Sequence, residues 1–349
     1  MIAKIPFIFF FSFATLFLLR KVAKNINLVD VPTKRKQHIG AIPLVGGLSL
    51  YIVMAYDLLS TPIDSPYSFL YLLSITVLII VGVCDDKFNL SVKLRMFVEI
   101  MVTLFAFYFA NIKLHTLGDI FGINLSIDLG ILSVLITILS VVGAINAYNM
   151  VDGIDGLLGG LSIVTFTGIG ILLHSHEYHY LSQFCVVIIV ALLPYIFMNL
   201  GFLGRQRKVF MGDAGSMVIG FTVIWLLLRM SQFDGDSPIR PVTALWLIGI
   251  PLMDMVTTMI RRMRQGHSPF RADREHLHHI YQRLGYSAHK TLIVICLLSA
   301  AFTSVGVIGE LMKVPESIMF YAYIVSFIAY IFLTNHIRKV VKVITGQSV

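Results

Sequence analysis

Residues 129–145 read LGILSVLITILSVVGAI, seventeen residues without a charge. A helix of that length approaches the thickness of a bilayer's hydrocarbon core, about 30 Å. Inside lipid no water is available to satisfy backbone N–H and C=O groups, so such a block must be helical or part of a closed barrel. Similar blocks recur along the whole chain. The 349 residues are 57% hydrophobic and only 13% charged, which excludes an ordinary soluble domain. The expected fold is all-α: a polytopic helical membrane protein formed by one integral-membrane domain, 1–349.

Hydropathy marks about eleven spans. They lie near 5–20, 44–60, 67–84, 94–110, 128–147, 157–173, 181–199, 214–231, 242–260, 291–309 and 317–337. The first apolar run lacks a small-residue cleavage site and reads as an uncleaved span. Alternation sorts the loops into two sets. Of 27 Lys and Arg, only Lys4, Lys113, Arg229, Arg240 and Lys313 fall on one side. The positive-inside rule makes the other side cytoplasmic. The N-terminus is then periplasmic and the C-terminus cytoplasmic, and the net charge of +8 faces anionic lipid and solutes. Cys84, Cys185 and Cys296 sit in or at the end of apolar runs. An odd, buried set argues against a disulfide framework or a metal site.

Four polar clusters fall on the cytoplasmic side: DDKFN (85–89), NMVDGIDG (149–156), VFMGDAGS (209–216) and RADREHLHH (271–279). In the first, Asp85 and Asp86 end an apolar helix. Anions there oppose the helix dipole and repel each other, so a cation or a proton is needed to ease the pair. In the second, Asn149, Asp152 and Asp155 recur every three residues and would share a face if the helix continues. Their oxygens suit Mg²⁺ or Mn²⁺ rather than zinc, although Asp155 alone could also serve as a helix cap. In the third, Asp213 sits in a Gly-Asp-Ala-Gly turn opening an apolar helix. It reads either as an N-cap or as the holder of a metal beside a substrate phosphate.

The fourth cluster belongs to RRMRQGHSPFRADREHLHHIYQRLG (261–285), rich in Arg and His but without cysteine, so zinc is not indicated. Such clusters bind phosphates or shuttle protons. Lys34, Lys93 and Arg95 add positive charge for phosphates on the same side. HSHEYHYL (174–181) resembles a metal motif but falls on the opposite face. No nucleic-acid module or GxxxxGK[ST] loop occurs. Carboxylates for a hard metal, cations for phosphates and a membrane setting point to phosphoryl transfer between a soluble donor and a lipid. A transporter of an anionic solute is the rival reading, but transporters hold ionisable groups near the midplane, whereas these clusters end helices at one interface.

At these residues the chain resembles the polyprenyl-phosphate N-acetylhexosamine-1-phosphate transferases, and within them the WecA type. The motifs run from RKVAKNINLVDVPTKRKQHIGAIPLVGG through INAYNMVDGIDGLLGGLS, MNLGFLGR, KVFMGDAGS and VTALWLIGIPLMDM to SPFRADREHLHH, nearly the whole chain. Leu277 interrupts the histidine run, where peptidoglycan translocases of the superfamily usually carry three consecutive histidines. The resemblance implies transfer of GlcNAc-1-phosphate from UDP-GlcNAc to undecaprenyl phosphate, with release of UMP, for O antigen or another surface polysaccharide. A relative using a different UDP-N-acetylhexosamine is the alternative. It implies Mg²⁺ or Mn²⁺ and a bacterial inner membrane with the active site on the cytoplasmic face. By motif match, Asp213 and Asn149 would be metal ligands, Asp155 would contact uracil and Phe210 would stack on it. Asp85 and Asp86 match the motif for the lipid phosphate, as general base or holder. Asp152 lies between metal binding and positioning. Arg264, His276, His278 and His279 would grip the sugar and diphosphate.

Overall fold

The computed structural model describes residues 4–32, 40–61, 66–232, 237–270 and 275–345, with side chains excluded at 66 and 337–345. Lys34 lies outside the described residues, as do residues 271–274 of the Arg/His loop. The helices are α1 (Lys4–Asn25), α2 (Gly46–Ser60), α3 (Pro66–Phe88), α4 (Val92–Phe109), α5 (Ser133–Val151), α6 (Leu157–Ser175) and α7 (His179–Asn199). They continue with α8 (Gly212–Ser231), α9 (Pro241–Leu247), α10 (Gly249–Arg264), α11 (Leu277–Arg283), α12 (Ala288–Leu311) and α13 (Glu316–Thr345). Two-residue strands β1 (Val29–Asp30) and β2 (Ile42–Pro43) pair antiparallel. The chain is an all-α, multi-pass membrane protein.

Each of the eleven expected spans coincides with helix, but they are not equivalent. Eight helices (α1, α3, α5, α6, α7, α8, α12 and α13) are long and apolar enough to cross a bilayer by themselves. α9 and α10 are long and apolar enough only as a pair, and they meet at Ile248 with a bend of 81°. The remaining two helices differ in kind. α2 has only 15 residues, and α4 carries Lys93, Arg95 and Glu99 within 18 residues. Cys84, Cys185 and Cys296 are all free.

Burial separates lipid-facing helices from the centre. α13 exposes Ile318, Tyr321, Val325, Ile328, Phe332 and Leu333, as lipid contact requires, because tails accept apolar side chains without cost. In α8, by contrast, only Asp213 and Arg229 of 20 residues are not fully buried. Neighbours α2, α3, α5 and α6 enclose it. Small residues allow this enclosure: a Cβ added at Gly82 of α3 would lie 2.2 Å from Ala214 Cα. The last turn of α3 is thereby pressed onto the first turn of α8. That contact places Asp86.

Candidate active site

The first turn of α8 holds the site together, and its cap comes from another helix. Asp86 Oδ1 accepts the Asp213 backbone N–H at 2.8 Å, and Oδ2 accepts that of Ala214 at 3.3 Å. Gly212 makes this possible: its φ is +78°, and a Cβ there would lie 2.4 Å from Asp86 Oδ2. A carboxylate at the end of α3 is unfavourable to its own helix dipole, but it meets the positive end of α8. The cation expected for the Asp85–Asp86 pair is thus partly a helix N-terminus. The other part is Arg95, whose Nη1 donates to Asp85 Oδ2 at 2.6 Å.

With Asp86 capping α8, the Asp213 side chain has no capping duty. It sits inside the first helical turn, after N-cap Met211, so the capping alternative does not hold. Its Oδ1 accepts from Asn149 Nδ2 at 2.6 Å, and its Oδ2 lies 3.6 Å from Arg95 Nη1. Asn149 also donates to Ser216 Oγ at 2.9 Å. Its amide nitrogen is thereby used within the protein, and its carbonyl oxygen has no hydrogen-bond partner among the described residues. Lys93, two residues before Arg95 on α4, is exposed and makes no hydrogen bond or ion pair among the described residues.

The NMVDGIDG segment does not continue as one helical face. α5 ends at Val151, Asp152 is its C-cap, and Gly156 is left-handed with φ +79°. Asn149 therefore turns to Asp213, while Asp155 pairs with Lys208 Nζ at 2.5 Å. Lys208 lies 5.4 Å from the centre of the Phe210 ring. Asp155, Lys208 and Phe210 thus form a second polar–aromatic group beside the first. Asp152 is exposed. Asn199 joins the two segments: its Oδ1 accepts Gly156 N–H at 2.6 Å and its Nδ2 donates to Val209 O at 2.9 Å. The strap after β2 fixes Phe210 itself, because Phe210 N–H donates to Pro43 O and Phe210 O accepts from Val45 and Gly46.

The histidine segment reaches the site through α11. His278 is 2% exposed, and a Cβ added at Gly153 would lie 2.1 Å from its Nε2. That nitrogen has no hydrogen-bond partner among the described residues. Burial holds the His278 imidazole down to about 3, reinforced by neighbouring His279, so it is neutral at ordinary pH. The ring of His279 lies 4.2 Å from it. His276 is differently placed: its Nδ1 bonds Asp254 Oδ2 at 2.9 Å, and Arg262 Nη2 donates to its Nε2 at 3.2 Å. Contact with a substrate would require one of these bonds to open. Arg264 lies on another side of α10, lining a hollow of about 240 Å³ with Thr257, Arg261, Ile331 and Asn335.

The four polar clusters therefore converge, through Asp86–Asp213, Asn149–Asp213 and His278–Gly153. Reading the sequence missed the residues that support them. Asp254 accepts from Leu277 N–H and Tyr330 Oη as well as holding His276. It lay inside a recognised motif but carried no assigned role, as did Asn199. Among the described residues no three His, Cys, Asp or Glu side chains form a metal-binding group. A divalent ion held here would rest on one or two carboxylates, with substrate phosphates completing its shell.

Comparison with known proteins gives a consistent result. The sequence profile of glycosyl transferase family 4 matches residues 68–231. An undecaprenyl-phosphate alpha-N-acetylglucosaminyl 1-phosphate transferase of Yersinia pestis is 46% identical over 345 residues, covering 99% of this chain and 94% of that one. The protein of that name from Escherichia coli K12 is 46% identical over 338 residues, covering 97% and 92%. The one from Haemophilus influenzae is 43% identical over 338 residues, covering 95% and 93%.

Proposed function

Since the chain belongs to glycosyl transferase family 4, alongside the undecaprenyl-phosphate alpha-N-acetylglucosaminyl 1-phosphate transferases, we propose that it transfers GlcNAc-1-phosphate from UDP-GlcNAc to undecaprenyl phosphate. An oxygen of the lipid phosphate attacks the β-phosphorus of the donor. The bond from that phosphorus to the bridging oxygen breaks, and UMP leaves. The product is undecaprenyl-diphosphate-GlcNAc. The site faces the cytoplasm of a bacterial inner membrane, where the soluble donor is found, and the product primes O antigen or another surface polysaccharide.

One observation carries the mechanism: the two adjacent aspartates are already committed. Asp86 is spent on the α8 N-terminus and Asp85 on Arg95. Both carboxylates are thereby held in place, and a lipid phosphate is largely anionic at neutral pH, so it needs no general base. We therefore assign Asp85 and Asp86 as holders. Asp85 orients Arg95 toward the attacking phosphate, and Asp86 fixes the turn that presents Asp213. Asp213 and Asn149 would hold the divalent ion, Mg²⁺ or Mn²⁺, with exposed Asp152 positioning the donor. The ion supplies charge neutralisation on the diphosphate oxygens.

Asp155 accepts from the uracil imide N–H, and Phe210 offers the base a stacking face, with Lys208 placed between them. His278, packed on the Gly153 turn, and His279, whose ring lies 4.2 Å from it, border the sugar and diphosphate, and His276 holds α11 in place. Lys93 adds positive charge at the lipid side. The reaction exchanges one phosphoanhydride for another, so it runs in both directions. Purified protein in detergent, given UDP-GlcNAc, undecaprenyl phosphate and Mg²⁺, is expected to release UMP and form lipid-linked GlcNAc. EDTA is expected to stop it. UDP-GlcNAc binding with no lipid-dependent UMP would contradict the transferase reading and favour a transporter.

A further inference from the structure

Arg95 stands where a cation on Asp213 would be felt most strongly. Its Nη1 lies 2.6 Å from Asp85 Oδ2 and 3.6 Å from Asp213 Oδ2. Its Nε–H is buried and has no hydrogen-bond partner among the described residues. One turn further along α4, facing the same way, is Glu99, only 3% exposed. Among the described residues the Glu99 carboxylate receives a single neutral hydrogen bond, from Asn146 Nδ2 at 3.0 Å. A buried carboxylate with one amide partner is a costly arrangement. The cation that interacts with it electrostatically is Arg95, which is turned toward the aspartates.

Asn146 is three residues before Asn149 on α5, so the two asparagines lie on one face. The site is built in two layers. The outer one holds Asp85, Arg95, Asn149 and Asp213; the inner one holds Glu99 and Asn146.

We infer that Glu99 is a positioning residue that receives Arg95 when a divalent cation occupies Asp213. This inference rests on the reading of Asp213 as a metal holder. In the structure the guanidinium partly balances Asp213, as a cation would. A divalent ion on that carboxylate repels the guanidinium. Arg95 then needs another acceptor within its reach. Glu99, one turn along the same helix face, supplies one, and the Nε–H of Arg95 is unused among the described residues. The paired Arg95 stays close enough to Asp85 to remain available to the lipid phosphate. Glu99 thereby lets one small site hold both a metal and an arginine.

The test is Mn²⁺ binding to purified full-length protein in detergent without substrates, read from the electron paramagnetic resonance signal of free Mn²⁺. Glu99→Gln keeps an acceptor for Asn146 but removes the charge. It is expected to weaken Mn²⁺ binding about tenfold, the scale of coupling within one ion-pair network. The double variant Arg95→Gln/Glu99→Gln has no cation to relocate, and its binding should return to near the wild-type level. Glu99→Asp, which keeps the charge, should lie closer to wild type than Glu99→Gln.

Wild-type Mn²⁺ binding in Glu99→Gln overturns the inference, as does a double variant no better than the single one. If Glu99→Gln does not fold, Arg95→Gln alone decides: it should bind Mn²⁺ more tightly than wild type, and unchanged binding overturns the inference. Asp213→Asn separates this from the underlying reading. If that variant binds Mn²⁺ normally, the metal assignment fails and the Glu99 role falls with it. If it does not bind while Glu99→Gln binds normally, only the role of Glu99 falls.

Discussion

Two polar networks stand at the same end of the helices, and they differ in how completely they are satisfied. Around Asp254, the carboxylate accepts from His276, Leu277 N–H and Tyr330, while Arg262 closes the far side of His276. Around Asp213, three aspartates and one arginine share too few positive charges, and Arg95 Nε and the Glu99 carboxylate remain poorly matched. The first network is closed on itself and fixes where α11 begins. The second is complete only with something added. A site for a cation and a phosphate should look like the second, because ligand binding supplies the missing partners. The difference separates residues that hold the fold from residues that meet the substrate, even when both lie in motifs.

The largest expected effect breaks the open network. Asp213→Asn keeps size but removes the charge, and turnover should fall at least about 10²-fold, as for loss of one preorganised electrostatic group. The folded, membrane-inserted amount should stay near wild type. Normal turnover with unchanged Mg²⁺ dependence would move the metal elsewhere.

Next is a pH effect at the contact between the two networks. Because His278 is held down to about 3, the folded protein keeps it neutral, whereas the unfolded chain protonates it near pH 6.5. Its contribution to stability is fully present above that value and is lost as pH falls toward 3. Stability at pH 5 should be roughly 2 kcal/mol below that at pH 8 from this group. Thermal unfolding of wild type against His278→Gln checks it: the variant should show a smaller loss between those two pH values.

Asp254→Asn probes the closed network. It retains an acceptor for Leu277 N–H but weakens the bond to His276, costing about 1.5 kcal/mol of stability. Mg²⁺ affinity should not change, and a shift in it would erase the distinction drawn between the networks. The smallest effect belongs to Asp155→Ala, which should weaken UMP inhibition about tenfold, the scale of one hydrogen bond to a charged group. The apparent affinity for undecaprenyl phosphate should be unaltered. Normal UMP inhibition with poor use of lipid would place Asp155 at the other substrate.

Much of this was legible in the sequence, and the limits are physical. Hydropathy located helix at every expected span, since each backbone in lipid must satisfy itself. Alternation and the Lys/Arg bias brought DDKFN, NMVDGIDG, VFMGDAGS and the histidine segment to one side, and the contacts among them agree. What stayed hidden depends on pairs distant in sequence. No local rule shows that Asp86 caps a helix that begins at Gly212, or that Asp213 is thereby released from capping. Periodicity suggests one face for Asn149, Asp152 and Asp155, but α5 ends at Val151, so Asn149 meets Asp213 while Asp155 meets Lys208. The sequence alone gives Glu99 no role. Only the packing of α4 on α5 gives it a partner.

The central claim is that the lipid phosphate attacks the donor directly, because Asp85 and Asp86 are held by Arg95 and by the first turn of α8. Exchange of labelled UMP into UDP-GlcNAc, followed with purified protein and Mg²⁺, tests it most directly. The account predicts no exchange when lipid is absent, and rapid exchange once undecaprenyl-diphosphate-GlcNAc is added. Exchange in lipid-free protein would mean that the sugar phosphate rests on an enzyme side chain, and would contradict direct attack.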